Sequence, residues 1–299
     1  MKCGILVNMT FRKLSLEDKA IFDRYNLVKQ GYFAYDLTFA MVWIEDVQGE
    51  TEICDLGDIT IIRTMCCGKR IYLAPLVRQI ELLYDAIKLI RKECEREKTL
   101  VEIYVLSDTQ KQVLETTYKT ISNPDESDYI YNAKDLINLV GKKYHSKRNF
   151  IKRFKNSYNY DFRMYNPDID NKEIIKLYEK WKSTTSHDTW SYEFELLTRA
   201  LDFYTKLDLK ITVLYIEDEL VAFSINHIQP PILAHTLFEK ADTSYLGAYQ
   251  AINQFTAQEL FNDVEYVNRQ DDLGIMGLRK AKQSYYPVMM VTKHSIHID

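Results

Sequence analysis

"KITVLYIEDELVAFSINHIQ", residues 210–229, holds two runs rich in β-branched and aromatic residues on either side of a Glu-Asp-Glu turn. That pattern predicts a β-hairpin. Downstream, "ILAHTLFEKA" (232–241) continues as a strand, "GAYQAINQFTAQELF" (247–261) as a helix and "VEYVNRQ" (264–270) as a strand. The helix "MGLRKAKQSY" (276–285) and the strand "VMMVTKHSI" (288–296) close the chain. The same order runs through the first half. Antiparallel strands are expected over "EICDLGDITIIRTMCCGKRIYLAPL" (52–76), an amphipathic helix over "RQIELLYDAIKLIRKECEREK" (78–98) and a strand over "LVEIYVLS" (100–107). Repetition of hairpin, helix, strand, helix points to a structural duplication. Between the halves, "ISNPDESD" (121–128) reads as a linker, so two domains are expected, 1–125 and 126–299. Tight hairpins alternating with helices give an α/β (α+β) class in which each unit is a mixed, mostly antiparallel sheet flanked by helices.

The 299 residues are 46% hydrophobic, enough for a sizeable core. Five cysteines without CxxC spacing fit a reducing cytoplasm, and neither an 18-residue apolar run nor a leader pattern is present. The expected location is therefore cytoplasmic, with no integral membrane association. P-loop, GxGxxG and GxSxG motifs are missing, and the histidines lack metal-ligand spacing, so no metal is expected.

One stretch breaks the acidic balance. "GKKYHSKRNFIKRFK" (141–155) carries seven Lys and Arg and no acid, whereas the remaining 32 of 39 basic residues face 43 Asp and Glu. On a helix, Phe150, Ile151, Phe154 and Tyr158 form a core-facing stripe. A basic helix commonly shows only a solvated charged face. Here Lys142, Lys143, Lys147 and Arg148 crowd the helix start, where the macrodipole already disfavours cations, and a bound phosphate would relieve that. Tyr144, His145 and Asn149 belong to the same candidate site, His145 as a weak acid or base.

A second block, "VNRQDDLGIMGLRKAKQSYYPV" (267–288), offers Asp271 and Asp272 as helix caps or as a general base. Glu239 and His235 are alternative bases. Gly274 and Gly277 would permit close backbone approach, Arg279 and Lys282 could add cations, and Tyr285 ends the helix. Gly247 and Ala248 open a helix whose N–H groups could meet a carbonyl or pyrophosphate. Trp181, His187 and Trp190 could form a substrate wall or buried packing.

Together, "YIYNAKDLINLVGKKYHSKRNFIKRF" and "VNRQDDLGIMGLRKAKQSYYPV" resemble the cytosolic domain of bacterial phosphatidylglycerol lysyltransferases and soluble proteins that share it. The likeness spans roughly residues 15 to 295. It implies two tandem GNAT-like folds, an arrangement also found in Fem-type aminoacyltransferases. The implied function is acyl or aminoacyl transfer from acyl-CoA or aminoacyl-tRNA to an amine or hydroxyl. The resemblance carries over Lys142, Lys143, Lys147, Arg148, Asn149, Gly277, Leu278, Arg279, Lys282 and Pro287 as ligand-site positions, and the multi-span membrane portion of the lysyltransferases has no counterpart here. A non-catalytic module binding tRNA or a phosphorylated metabolite is the alternative.

Overall fold

The computed structural model describes residues 9–183 and 190–298. It divides into two compact units, one formed by the described residues up to Pro124 with those from Thr292 onward, the other by Asp125–Val291.

In chain order the first unit contains β1 (Arg12–Lys13), α1 (Lys19–Tyr25), α2 (Phe39–Glu45), β2 (Glu52–Asp55), β3 (Ile59–Cys66), β4 (Lys69–Leu73), β5 (Leu76–Val77), α3 (Leu83–Glu97), β6 (Val101–Leu106), α4 (Asp108–Leu114) and β7 (Thr120–Ser122). The second contains β8 (Asp128–Asn132), α5 (Ala133–Asn138), α6 (His145–Ser157), β9 (Tyr160–Met164), α7 (Pro167–Ser183), α8 (Trp190–Phe203), β10 (Leu209–Ile216), β11 (Glu219–Gln229), β12 (Leu233–Ala241), α9 (Ala248–Leu260), β13 (Tyr266–Asn268), α10 (Met276–Gln283) and β14 (Met289–Val291). The final strand, β15 (His294–Ile298), returns to the first unit.

The two sheets follow one plan. The first has the order β1-β2-β3-β4-β6-β15-β7 with β5 beside β3, and the second β14-β8-β13-β12-β11-β10-β9. Each contains a hairpin (β3–β4, β11–β12), a crossover helix (α3, α9) and a strand parallel to the hairpin's second strand (β6, β13). All other pairings among the described strands are antiparallel. The duplication extends further. β15 lies between β6 and β7 as β8 lies between β13 and β14, so in both sheets a strand from elsewhere in the chain is inserted at the same place.

That insertion changes the expected boundary of 126–299. Ile296 is fully buried and pairs with Ile103 of β6 and Thr120 of β7, which assigns the C-terminal strand to the first sheet. No turn-forming cluster marks the passage between Val291 and Thr292, so the sequence offered no punctuation for it.

The core of the second unit lies between its sheet and helices α5, α6 and α9. Tyr131, Leu136, Tyr144, Phe154, Val221, Ala234, Ile252 and Val267 are buried there. Each large apolar side chain contributes about 1.5–3 kcal/mol. Of the expected stripe of α6, Ile151 and Phe154 are buried, Tyr158 packs half-buried against the core and Phe150 is half-buried, and the helix begins at His145. Lys142–Tyr144 forms a separate 3-10 turn.

α9 approaches α6 closely at Gly247. Its φ is +90°, and a Cβ there would stand 2.6 Å from the Phe150 carbonyl oxygen. Gly247→Ala should therefore cost more than about 1 kcal/mol. Gly277, on α10 with nothing within 4 Å, should accept alanine at no cost. Urea denaturation of the two variants checks the contrast.

Candidate functional site

The ladder joining β12 to β13 lasts only from Leu233↔Tyr266 to His235↔Asn268. Open sheets bind ligands outside the carboxyl ends of such parallel strands. Beyond the last pair, Arg269 Nη2 donates to Glu239 Oε1 at 2.7 Å, and the Asn253 amide on α9 donates to Glu239 Oε2 at 3.2 Å. Both members of the ion pair are largely buried, at 14% and 10% exposure. Burial opposes the charge of Arg269, and Glu239 with Tyr131 and Tyr285 more than offsets it. The guanidinium lies 5.0 Å from the Tyr285 ring centre and 5.6 Å from that of Tyr131.

Two lysines join this cluster. Lys147 projects from α6 over Tyr285, its Nζ 4.1 Å from the ring centre and 2.5 Å from Ser284 Oγ. Burial and the charge of Arg269 pull its ammonium down to about 8. Lys282 donates to the carbonyls of Arg269 and Asp271, and burial above all pulls it down to about 8 as well. The charges of Asp271, Asp128 and Asp272 act on Lys282, whereas burial and Arg269 are what act on Lys147, so Lys147 and Arg269 share the one carboxylate of Glu239. Such an excess is relieved by an incoming anion.

In a second group nearby in sequence the cation is already paired. Asp272 accepts from Arg279 at 2.8 and 2.9 Å, from Tyr129 at 2.5 Å and from the Gly274 N–H at 2.9 Å, while Arg279 also donates to Asp125 at 2.6 Å. The Arg279 contacts outweigh burial and hold Asp272 at about 2. A carboxylate so stabilised is a poor proton acceptor, which argues against Asp272 as general base, and it does not cap α10 through its side chain because the cap position is Ile275. Arg279 is committed between two acids. Gly274, with φ +71°, admits the Asp125 carboxylate at 2.9 Å from where its Cβ would stand, so the close approach is internal. Asp271, also largely buried, accepts from the Leu273 N–H at 3.3 Å.

The basic stretch separates into distinct roles. Arg148 donates to the carbonyls of Leu139 and Gly141 and so ties down the end of α5. Lys143 pairs with Asp135 at 3.0 Å, and buried Tyr144 donates to the Tyr285 carbonyl at 2.9 Å. His145 and Asn149 contact one another at 3.3 Å on the exposed face, and Lys142 is exposed. Lys147 turns inward towards Tyr285 and Arg269, and Lys155 lies 4.9 Å from the ring centre of Phe255.

His235 and Glu239, four apart on β12, would share a face in a regular helix-like count and in an unbroken strand alike. The register shift between Ile225 and Asn226 accommodates Leu237 as an extra residue, which rotates the strand. Glu239 consequently meets α9, whereas His235 lies on the opposite face, across from His227 and 3.0 Å from Gln229 Oε1. Burial, then His227, lowers its pKa well below the usual range, so it stays neutral. Ala248 is buried at the start of α9 with its N–H bonded to the Tyr245 carbonyl. Trp181 packs 3.7 Å from Lys240 Nζ, and His187 lies outside the described residues.

Arg269 and Asn253 were not singled out from the sequence. Alternation along β13 places Arg269 on the side of buried Val267, and Asn253 interrupts a buried Ala and Ile run, so both signals were present. A cleft of about 390 Å³ elsewhere on this unit is lined by Asp161, Glu173, Glu217 and Asp218 with Arg163. Its acidic rim would repel a phosphate.

Residues 32–296 match the family described as phosphatidylglycerol lysyltransferase, C-terminal. The chain belongs to this family. A conserved protein of unknown function from Bacteroides thetaiotaomicron superposes with a TM-score of 0.90 at 27% identity, covering 98% of this chain and 100% of that one. L-PGS from Bacillus licheniformis gives 0.68 at 16% identity, covering 95% and 92%. A tandem GNAT protein from the clavulanic acid biosynthesis pathway gives 0.56 at 9% identity, covering 97% and 98%. These likenesses agree with two tandem GNAT-like units, and with a transferase-type fold. Among the described residues no helix is long and apolar enough to cross a membrane.

Proposed function

We propose that unit Asp125–Val291 transfers an acyl or aminoacyl group from a phosphate-bearing donor to an amine or hydroxyl. The observation that carries this reading is Lys147 beside the buried Arg269–Glu239 pair at the carboxyl ends of β12 and β13, two cations against one carboxylate. Family membership supports the transfer chemistry, since the family's name describes movement of a lysyl group to phosphatidylglycerol.

In this reading Lys147 meets a donor phosphate. The acceptor's nitrogen or oxygen bonds to the acyl carbon as the bond from that carbon to the donor's sulfur or ribose oxygen breaks. Arg269 turns from Glu239 to the charge forming on the carbonyl oxygen, which frees Glu239 to take the acceptor's proton and pass it to the departing sulfur or ribose oxygen. Acyl-CoA and aminoacyl-tRNA both present the required phosphate and carbonyl, and both are made in the cytoplasm, where we place the protein.

Native mass spectrometry with coenzyme A, acetyl-CoA and aminoacyl-tRNA tests this directly. One donor class should bind one per chain, and its acyl group should appear on an added amine or hydroxyl acceptor. Failure of every donor to bind would overturn the assignment, and binding without transfer would make the unit a binding module.

A further inference from the structure

The hairpin joining β3 to β4 carries Cys66 and Cys67 side by side at its tip, in "MCCGKR". Adjacent residues of a regular strand point to opposite faces. Here Cys67 adopts φ +53° and Gly68 φ +75°, the left-handed pair of a two-residue turn closed by the Cys66↔Lys69 pairing. This twist swings the second thiol beside the first, and the two Sγ atoms stand 3.8 Å apart. Both cysteines are exposed, while Cys54 and Cys94 are buried.

Turns of this type favour Asn, Asp or Gly at the first left-handed position, because a β-carbon is strained there. A cysteine at Cys67 therefore gives no local advantage to the fold. The sulfur separation has a different significance. Two thiolates each about 2.3 Å from one tetrahedral ion stand about 3.8 Å apart, so the pair already has the bite of a chelate.

We propose that Cys66 and Cys67 form a chelating site for a thiophilic divalent cation of the zinc and cadmium class. Binding forms two metal–sulfur bonds and releases the two thiol protons to solvent, with no change of oxidation state. Water or a small ligand fills the remaining coordination positions. The described residues hold no group of three or more His, Cys, Asp or Glu arranged around a metal, so the site is a two-ligand one at the surface and independent of the cluster around Arg269.

Cadmium titration followed by native mass spectrometry tests the proposal, using the whole chain in a Cys3→Ser background to remove the other thiol near the chain start. One cadmium should bind per chain with the mass loss of two protons. Cys66→Ser and Cys67→Ser should each weaken binding at least ten-fold, and binding in the parent should tighten as pH rises because protons compete for the sulfurs. Unchanged thermal unfolding would show that the exposed turn still folds in both variants. Absence of binding at micromolar cadmium, or equal binding by either single variant, would overturn it.

Discussion

Glu239→Leu is expected to destabilise the protein by about 3–5 kcal/mol, because it leaves the Arg269 charge buried without its carboxylate. The pair is 10% and 14% exposed, so water cannot take over the role of Glu239. Asn253 would lose its acceptor too. The double variant Glu239→Leu with Arg269→Met should recover most of the loss, since two apolar groups in place of a buried ion pair are often tolerated. Urea denaturation of the parent, both single variants and the double variant measures the coupling. A loss below about 1 kcal/mol in Glu239→Leu would show that the pair is solvated and that the cluster is not the buried site described.

Asp272→Asn should cost about 2 kcal/mol at neutral pH, the worth of lowering this carboxyl from 3.8 to about 2. The sign follows from the depressed native value. The contribution is fully present above the unfolded value near 4 and disappears as pH falls towards 2. The stability gap between parent and Asp272→Asn should therefore be constant from neutral pH down to about 5 and close between about 4 and 2. A gap that does not change with pH would assign the loss to hydrogen-bond geometry and not to the charge held by Arg279.

The sheet plan was legible because hairpin, crossover helix and parallel strand each carry a periodic signature, and both halves repeat it. The course of β15 was not, since the partner of a strand depends on contacts distant in sequence. The site was partly legible. Lys147 lies four before Ile151 and seven before Phe154, which places it on the buried stripe of α6, yet its charge grouped it with the solvated lysines around it. Arg148 and Lys143 looked equivalent to it and instead secure local structure. The separation of His235 from Glu239 depends on one extra residue in β12, and a bulge leaves no mark in composition or alternation that distinguishes it beforehand. Arg279 and Asp272 are close in sequence, but Arg279 is also held by Asp125, over 150 residues away.

Affinity of the donor for Lys147→Gln, set against the parent, tests the central claim most directly. Loss of a charge-assisted contact to phosphate is worth about 1.5–3 kcal/mol, so the variant should bind the donor roughly 10- to 100-fold more weakly and with a shallower dependence on salt. Because the Lys147 ammonium titrates at about 8, parent affinity should also decline above that pH, and the decline should be smaller in the variant. A donor that binds parent and Lys147→Gln equally, with the same salt and pH dependence, would contradict the assignment of this cluster as the phosphate site.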